Sequence, residues 1–271
     1  MKNIVKIAFI ISLFGSCKSD SQEKNNYILK DAIYFETPDK KSSKYPNPFD
    51  NDNEIYIPNQ EFVFEYLYID SSGNQYLFDK EGYELTPLDS VNTATITKIA
   101  LSIEYYQTEM YPDYNQTLAE YLYYLPRGDF IYPRSYSGIV ENGKNVWMHP
   151  FRTPCYFRLL QLAPFPFIQK PLEIGKKWNW SLISNDQWDC AEWGEWKGNI
   201  NSKYNYEILD FLPVKTTFGE LDCYLVKATG DGDLGESELK SYFNEKFGFV
   251  KLEYKNVNKS KLIIDLVEIK Q

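Results

Sequence analysis

The stretch Ile200–Lys270 reads INSKYNYEILDFLPVKTTFGELDCYLVKATGDGDLGESELKSYFNEKFGFVKLEYKNVNKSKLIIDLVEIK. Apolar and polar residues alternate through much of it, the period-2 signature of strands with one buried face. The expected strands are Tyr204–Phe211, Glu220–Thr229, Ser237–Phe243, Phe249–Tyr254 and Lys261–Ile269. Between them stand Pro213 with Gly219, the glycine-rich run 230–235, residues 244–248, and Asn256 with Asn258. These are residues that turn a chain. Short strands with short breaks give an antiparallel meander and not alternating βα units. In the fourth strand, alternation assigns Val250, Leu252 and Tyr254 to the core and Phe249, Lys251 and Glu253 to the other face.

Upstream, Glu61–Ile69 (EFVFEYLYI) puts Phe62, Phe64, Tyr66 and Tyr68 on one face, and Ser71-Ser-Gly-Asn74 follows as a hairpin turn. Residues 99–105 alternate again. Glu141-Asn-Gly-Lys144 is placed to join Tyr136–Val140 to Asn145–His149. One helix is predicted over Gln116–Leu125, where Leu118, Tyr121, Leu122 and Leu125 share a face at helical spacing. A short helical turn is predicted over Arg158–Leu162, ahead of Pro164 and Pro166. The class is therefore mainly β: an antiparallel curved sheet, a half-barrel-like meander, with one or two short helices.

Composition agrees with a packed β domain. Among 271 residues there are 23 Tyr, 17 Phe and 6 Trp, which excludes collagenous, coiled-coil and disordered classes. The charge, 29 Lys+Arg against 38 Asp+Glu, with no basic patch, argues against a nucleic-acid partner.

The first segment is an address. Lys2 and Lys6 precede the apolar run 7–14 (IAFIISLF), which has the length of a signal h-region and is too short for a membrane span. Leu13-Phe14-Gly15-Ser16-Cys17 resembles a bacterial lipobox, with Phe14 departing from the usual aliphatic residue; Cys17 is then the lipidated first mature residue. Lys18 in place of Asp favours sorting to the outer membrane. An acylated Cys17 supplies stable anchoring in outer-membrane lipid, and the acidic body is expected to stay off an anionic surface. The expected organisation is a signal peptide at 1–17, a polar tether at 18–53 and a single β-rich domain at 54–271, best defined at 200–270. Tyr27–Phe35 is the one tether segment that could lie down as an edge strand.

Few residues carry chemistry. His149 is the single histidine, no Gly-x-Ser-x-Gly elbow is present, and His149 reads as structural. One histidine leaves no zinc set, so neither metal nor cofactor is expected. Cys155, Cys190 and Cys223 lack a Cys-x-x-Cys spacing; they read as inert buried thiols, and if a bridge forms, Cys190 with Cys223 is the expected pair. The acidic runs Asp50-Asn-Asp-Asn-Glu54 and Asp231-Gly-Asp-Leu-Gly-Glu236 lack a complete calcium loop and read as solvated turns. Trp178, Trp180, Trp188, Trp193 and Trp196 crowd together with Asp186, Asp189, Glu192 and Glu195 interleaved. Trp178 and Trp180 share a strand face and belong to the core. Trp188, Trp193 and Trp196 could pack a core or stack a ligand, and burial of Trp193 and Trp196 is expected.

The segments Trp147-Met-His-Pro-Phe-Arg152, Pro164-Phe-Pro-Phe167 and Gly175-Lys-Lys-Trp-Asn-Trp180 resemble uncharacterised exported lipoproteins of the Bacteroidetes type. Thr217–Val226, followed by Leu239–Lys251, is similar to periplasmic β half-barrels of the lipoprotein-carrier kind. This likeness spans about residues 175–270 and implies a sheet curved around apolar ligands, with no functional residue carried over. The leading expectation is a non-catalytic, lipid-anchored envelope module holding a small apolar or amphipathic ligand in the concave face. The alternatives are a glycan-binding surface lipoprotein using Trp188, Trp193 and Trp196, and a carboxylate-dependent hydrolase using a pair such as Glu192 and Glu195.

Overall fold

The computed structural model describes residues 27–38, 43–104, 115–131 and 135–271. Its strands are β1 (Tyr27–Lys30), β2 (Ile33–Glu36), β3 (Glu61–Ile69), β4 (Gln75–Phe78), β5 (Leu85–Pro87), β6 (Lys98–Ile103), β7 (Thr117–Tyr124) and β8 (Ser135–Glu141). They continue as β9 (Asn145–Met148), β10 (Phe167–Gln169), β11 (Lys177–Ser184), β12 (Ile200–Thr216), β13 (Gly219–Gly232), β14 (Gly235–Asn244), β15 (Gly248–Lys255) and β16 (Lys261–Lys270). β1 and β2 form a hairpin of their own. The rest make one antiparallel sheet in the order β10-β9-β8-β7-β6-β3-β16-β15-β14-β13-β12-β11, with β4 and β5 beside β3.

The sheet curls until its two edges meet. β10 and β11 are consecutive in the chain and are not hydrogen-bonded strand to strand. Aromatic rings bridge the gap: Phe167 on β10 lies 5.6 Å from Trp178 on β11 and 5.5 Å from Tyr206 on β12. Trp147 on β9 is 5.9 Å from Trp180 on β11. The result is a nearly closed barrel with an aromatic seam.

The inside is filled by the chain itself. Residues 149–166 cross the concave face, carrying a 3₁₀ segment at Cys155–Leu162 in place of the shorter expected turn. Phe151, Phe157, Leu160 and Phe165 are fully buried. Phe157 touches Tyr66, Phe78 and Tyr123, with ring centroids 5.2, 4.9 and 5.6 Å away, and Phe151 packs on Phe64 and Tyr121. Edge-to-face contacts of this kind add to the burial of large rings.

Four expectations change. Residues 117–124 are strand β7, not a helix: Ala119, Tyr121 and Tyr123 face the core while Leu118 and Leu122 are covered on the outside. Leucines on one strand face and tyrosines on the other mimic a helical stripe. Phe249 is buried beside Val250, because the β14–β15 register shifts at Tyr242/Phe243 and a bulge turns both inward. Gly248 before it has φ +74, and a Cβ there would stand 2.6 Å from the Tyr56 hydroxyl, so only glycine fits.

The other two changes concern the presumed tether. Ile33 and Phe35 on β2 enter the core. Asn142 Nδ2 donates to Tyr34 O, and Tyr34 N donates to Asn145 Oδ1. Among the described residues, the folded body thus includes β1 and β2, ahead of residue 54. Finally, Asp50 is buried in a one-turn 3₁₀ segment, Pro48–Asp50, and not solvated. The second acidic run is the β13–β14 hairpin turn as expected.

Candidate functional site

The tryptophan loop, residues 185–199, leaves the end of β11 and returns into β12. Trp188, Trp193 and Trp196 are all half-buried. Trp188 ends a short 3₁₀ turn and lies under the Arg152 guanidinium, 5.7 Å from the ring. Arg152 also donates to the Tyr136 carbonyl. Trp193 packs against the core, and its indole N–H donates to Cys155 O at 3.1 Å. Trp193 and Trp196 are 5.9 Å apart with ring planes 43° from parallel, an open V and not a flat platform. Arg158 donates to Asp189 O, and Asp186 accepts from Gly198 N, so both ends of the loop are tied. Trp178 and Trp180 are in the core, stacked on Tyr206 and Tyr204.

A disulfide fixes the loop's base, and it is not the expected one. Cys155 is bonded to Cys190, their Cα atoms 6.1 Å apart, while Cys223 is a buried free thiol on β13. The loop folds back over the start of the 3₁₀ segment and brings Cys190 onto Cys155; Cys223 points into the barrel. Burial, with the Asp222 charge behind it, pushes the Cys223 thiol up to about 11 and leaves it unreactive. Glu192 Oε2 stands 2.7 Å from Cys190 Sγ and 3.5 Å from Cys155 Sγ. Such a trio has the spacing of a metal site, but the disulfide occupies both sulfurs. Glu192 is thereby turned toward the cystine, and Glu195 stays exposed.

His149 is structural. Its ring packs 4.6 Å from Trp147 and 5.2 Å from Phe165, and Tyr121 donates to its carbonyl. Burial, helped by the nearby Arg152 charge, lowers its pKa to about 3, so it is neutral across the physiological range.

A buried acidic network escaped the sequence reading. Glu141 at the end of β8 accepts the backbone N–H groups of Glu54, Ile55 and Tyr56 at 3.0, 3.0 and 2.8 Å. Asp50 accepts from Thr117 Oγ1 and Asn47 Nδ2 at 2.7 and 3.0 Å. Glu36 on β2 is raised to about 8 by burial and by neighbouring Asp52. Burial raises Asp50 to about 7 against those two hydrogen bonds. The network clips Asn47, Asp50 and residues 54–56 onto the barrel. Only the Asp50–Glu54 run hinted at it, since the partners lie far away in the chain.

Cys17 and the rest of residues 1–26 lie outside the described residues. No family model and no curated protein matches this sequence. Among solved structures, it is similar to a candidate exported protein with a YmcC-like fold from Bacteroides fragilis. That match has 12% identity and a TM-score of 0.47, over 81% of this chain and 100% of that one. A candidate lipoprotein from Parabacteroides distasonis matches at 13% identity and TM-score 0.43, over 81% and 100% of the two chains. The hypothetical lipoprotein YmcC from Escherichia coli matches at 4% identity and TM-score 0.34, over 84% and 90%. Overlap at this level transfers no residue role.

Proposed function

We propose that this chain is a lipid-anchored, non-catalytic envelope protein that binds a glycan at the tryptophan loop. The observation carrying this reading is a contrast within the barrel. Its concave face, where an apolar ligand would lie, is occupied by Phe151, Phe157, Leu160 and Phe165 of the chain itself. Loop 185–199, by contrast, holds three half-exposed indoles on a disulfide-pinned base beside the exposed acidic residues Asp186 and Glu195. Indole faces stack on sugar C–H surfaces while carboxylates accept from sugar hydroxyls. The V between Trp193 and Trp196 suits a chain end or branch better than a long flat strand. Anchoring rests on the Leu13–Cys17 lipobox.

The test is affinity electrophoresis through gels containing soluble α- and β-glucans or peptidoglycan fragments. At least one polysaccharide should retard the protein, and Trp188→Ala and Trp196→Ala should abolish retardation without lowering the melting temperature by more than a few degrees. Retardation unchanged in both variants, or none in any gel, defeats the glycan reading. For the anchor, Cys17→Ala should abolish radiolabelled palmitate incorporation, and continued labelling would place the lipid elsewhere.

A further inference from the structure

The end of the barrel opposite the tryptophan loop has a different surface. There the β1–β2 hairpin, the β8–β9 turn (residues 142–144) and the β10–β11 connection (residues 170–176) form one rim. Lys170 N donates to Lys144 O at 2.8 Å, Gln169 Nε2 donates to Ala32 O at 3.0 Å, and the Lys144 ammonium lies 5.8 Å from the Tyr27 ring. Three aliphatic side chains project from this rim: Ile28, Leu29 and Ile174 are 58%, 58% and 62% exposed. The same three segments carry Lys30, Lys144, Lys170 and Lys176, followed by Lys177, which is paired to Glu207 at 3.4 Å; their acids are Asp31, Glu173 and Glu36, the last opposite Tyr27.

We infer that this rim docks against the lipid surface that holds the anchor. This rests on the anchoring reading above. Cys17 lies ten residues before Tyr27, a reach of at most about 35 Å fully extended. A strand segment such as Ile200–Ile208 is itself roughly 30 Å long, so this tether comfortably brings only the β1 end of the barrel to the lipid. At that distance Ile28, Leu29 and Ile174 can enter the headgroup layer, and the lysines meet lipid phosphates. The acidic remainder of the surface is then held away from the lipid. The glycan-binding end then faces outward from the membrane.

The test uses the lipidated protein in vesicles of phosphatidylethanolamine and phosphatidylglycerol doped with a doxyl-labelled quencher lipid. Fluorophores are attached at Ile28→Cys, Ile174→Cys and, at the far end of β11, Ile183→Cys. Quenching several-fold stronger at positions 28 and 174 than at 183 is expected. The double variant Lys30→Glu/Lys144→Glu should weaken quenching at position 174 while the protein still sediments with the vesicles. Equal quenching at all three positions, or none at 28 and 174, overturns the docking whether or not the protein sediments. Head-to-head cross-linking through position 28 without quenching would likewise overturn it, and give the rim to a second copy. Palmitate labelling of Cys17 reads the anchor separately, so the two readings can fail independently.

Discussion

In the half of the wall made by β12–β16, burial alternates over long stretches such as Ile200–Ile208, Ser237–Asn244 and Lys251–Lys255; in the half made by β6–β9 it does not. β14 and β16 keep every second residue toward water, whereas every residue of β9 and all but the last of β7 are buried. The difference is in what lies outside. Over β7, Val63, Ala100 and Leu122 form a small outer cluster with Tyr124, Phe130 and Val267. At the far ends of β7–β9, Asn53, Tyr56 and Tyr34 bond to Thr117, Glu141 and Asn145. A strand covered on both faces has no reason to alternate. One half is a wall with a wet side, and the other is an inner layer.

The largest effects should come from the inward faces. Phe157→Ala opens a void where the inner plug, residues 149–166, packs on Tyr66, Phe78 and Tyr123, and should lose about 3–5 kcal/mol; Leu252→Ala, on the single-sided wall, should lose about 2–5 kcal/mol. Urea denaturation measures both. A loss under about 0.5 kcal/mol at Leu252 would put this side chain at the surface and break the β15 register.

Next in size is the disulfide, which ties the plug to the tryptophan loop. Closing a loop of 35 residues of sequence separation stabilises by about 3–4 kcal/mol in the chain-entropy account. Cys155→Ser with Cys190→Ser should lose about 2–4 kcal/mol in oxidising buffer, and wild type should fall to the same level under reductant. If reductant leaves the denaturation curve unmoved, the bridge does not form.

The comparison itself is sharpened by two outward-facing sites. Leu122→Ala on β7 should lose about 1–3 kcal/mol because its outer face is covered, while Thr229→Ala on the exposed face of β13 should stay within about 0.5 kcal/mol. Equal effects would mean that the two halves do not differ.

The same contrast explains what was legible in the sequence. Strands β12–β16 and the core assignment of Leu252 and Tyr254 follow from one-sided alternation, although Pro213, expected as a break, lies inside β12 opposite Asp222. β7 was not legible, because coverage of both faces places apolar residues on each, and Leu118, Tyr121, Leu122 and Leu125 then fall at helical spacing. Nor was the Cys155–Cys190 bond, whose partners are brought together by the plug and the loop, neither of which has a repeating pattern. Trp178 and Trp180 were legible by strand parity. The half-burial of Trp188, Trp193 and Trp196 depends on loop shape, which spacing does not encode. The stretch before residue 54 reads as a tether because it is polar and proline-bearing, and its attachments, such as Tyr34 to Asn142 and Asn53 to Thr117, are to residues far away in the chain.

The smallest effect concerns those attachments and is a matter of pH. Asp50 is raised to about 7 by burial. The folded chain therefore keeps a proton that the unfolded chain, with an ordinary carboxyl, releases near about pH 4. Below about pH 4 both states hold it and nothing changes. From about pH 4 to 7 the folded state binds more protons, so stability falls as pH rises, and it levels off once the folded carboxyl also ionises. Glu36, raised to about 8, acts in the same direction up to that pH. His149, lowered to about 3, acts oppositely: its contribution is complete above about pH 6.5 and is lost as pH falls toward 3. Subtracting the stability of Asp50→Asn from wild type at each pH cancels the other two groups. The amide keeps an oxygen for Thr117 and Asn47 but cannot ionise. The difference, measured by urea denaturation at several pH values, should shift against wild type from about pH 4 to 7 and then stay level. A difference that is flat throughout would mean that Asp50 ionises in the folded state as freely as in water, and that the segment over β7 is not closed.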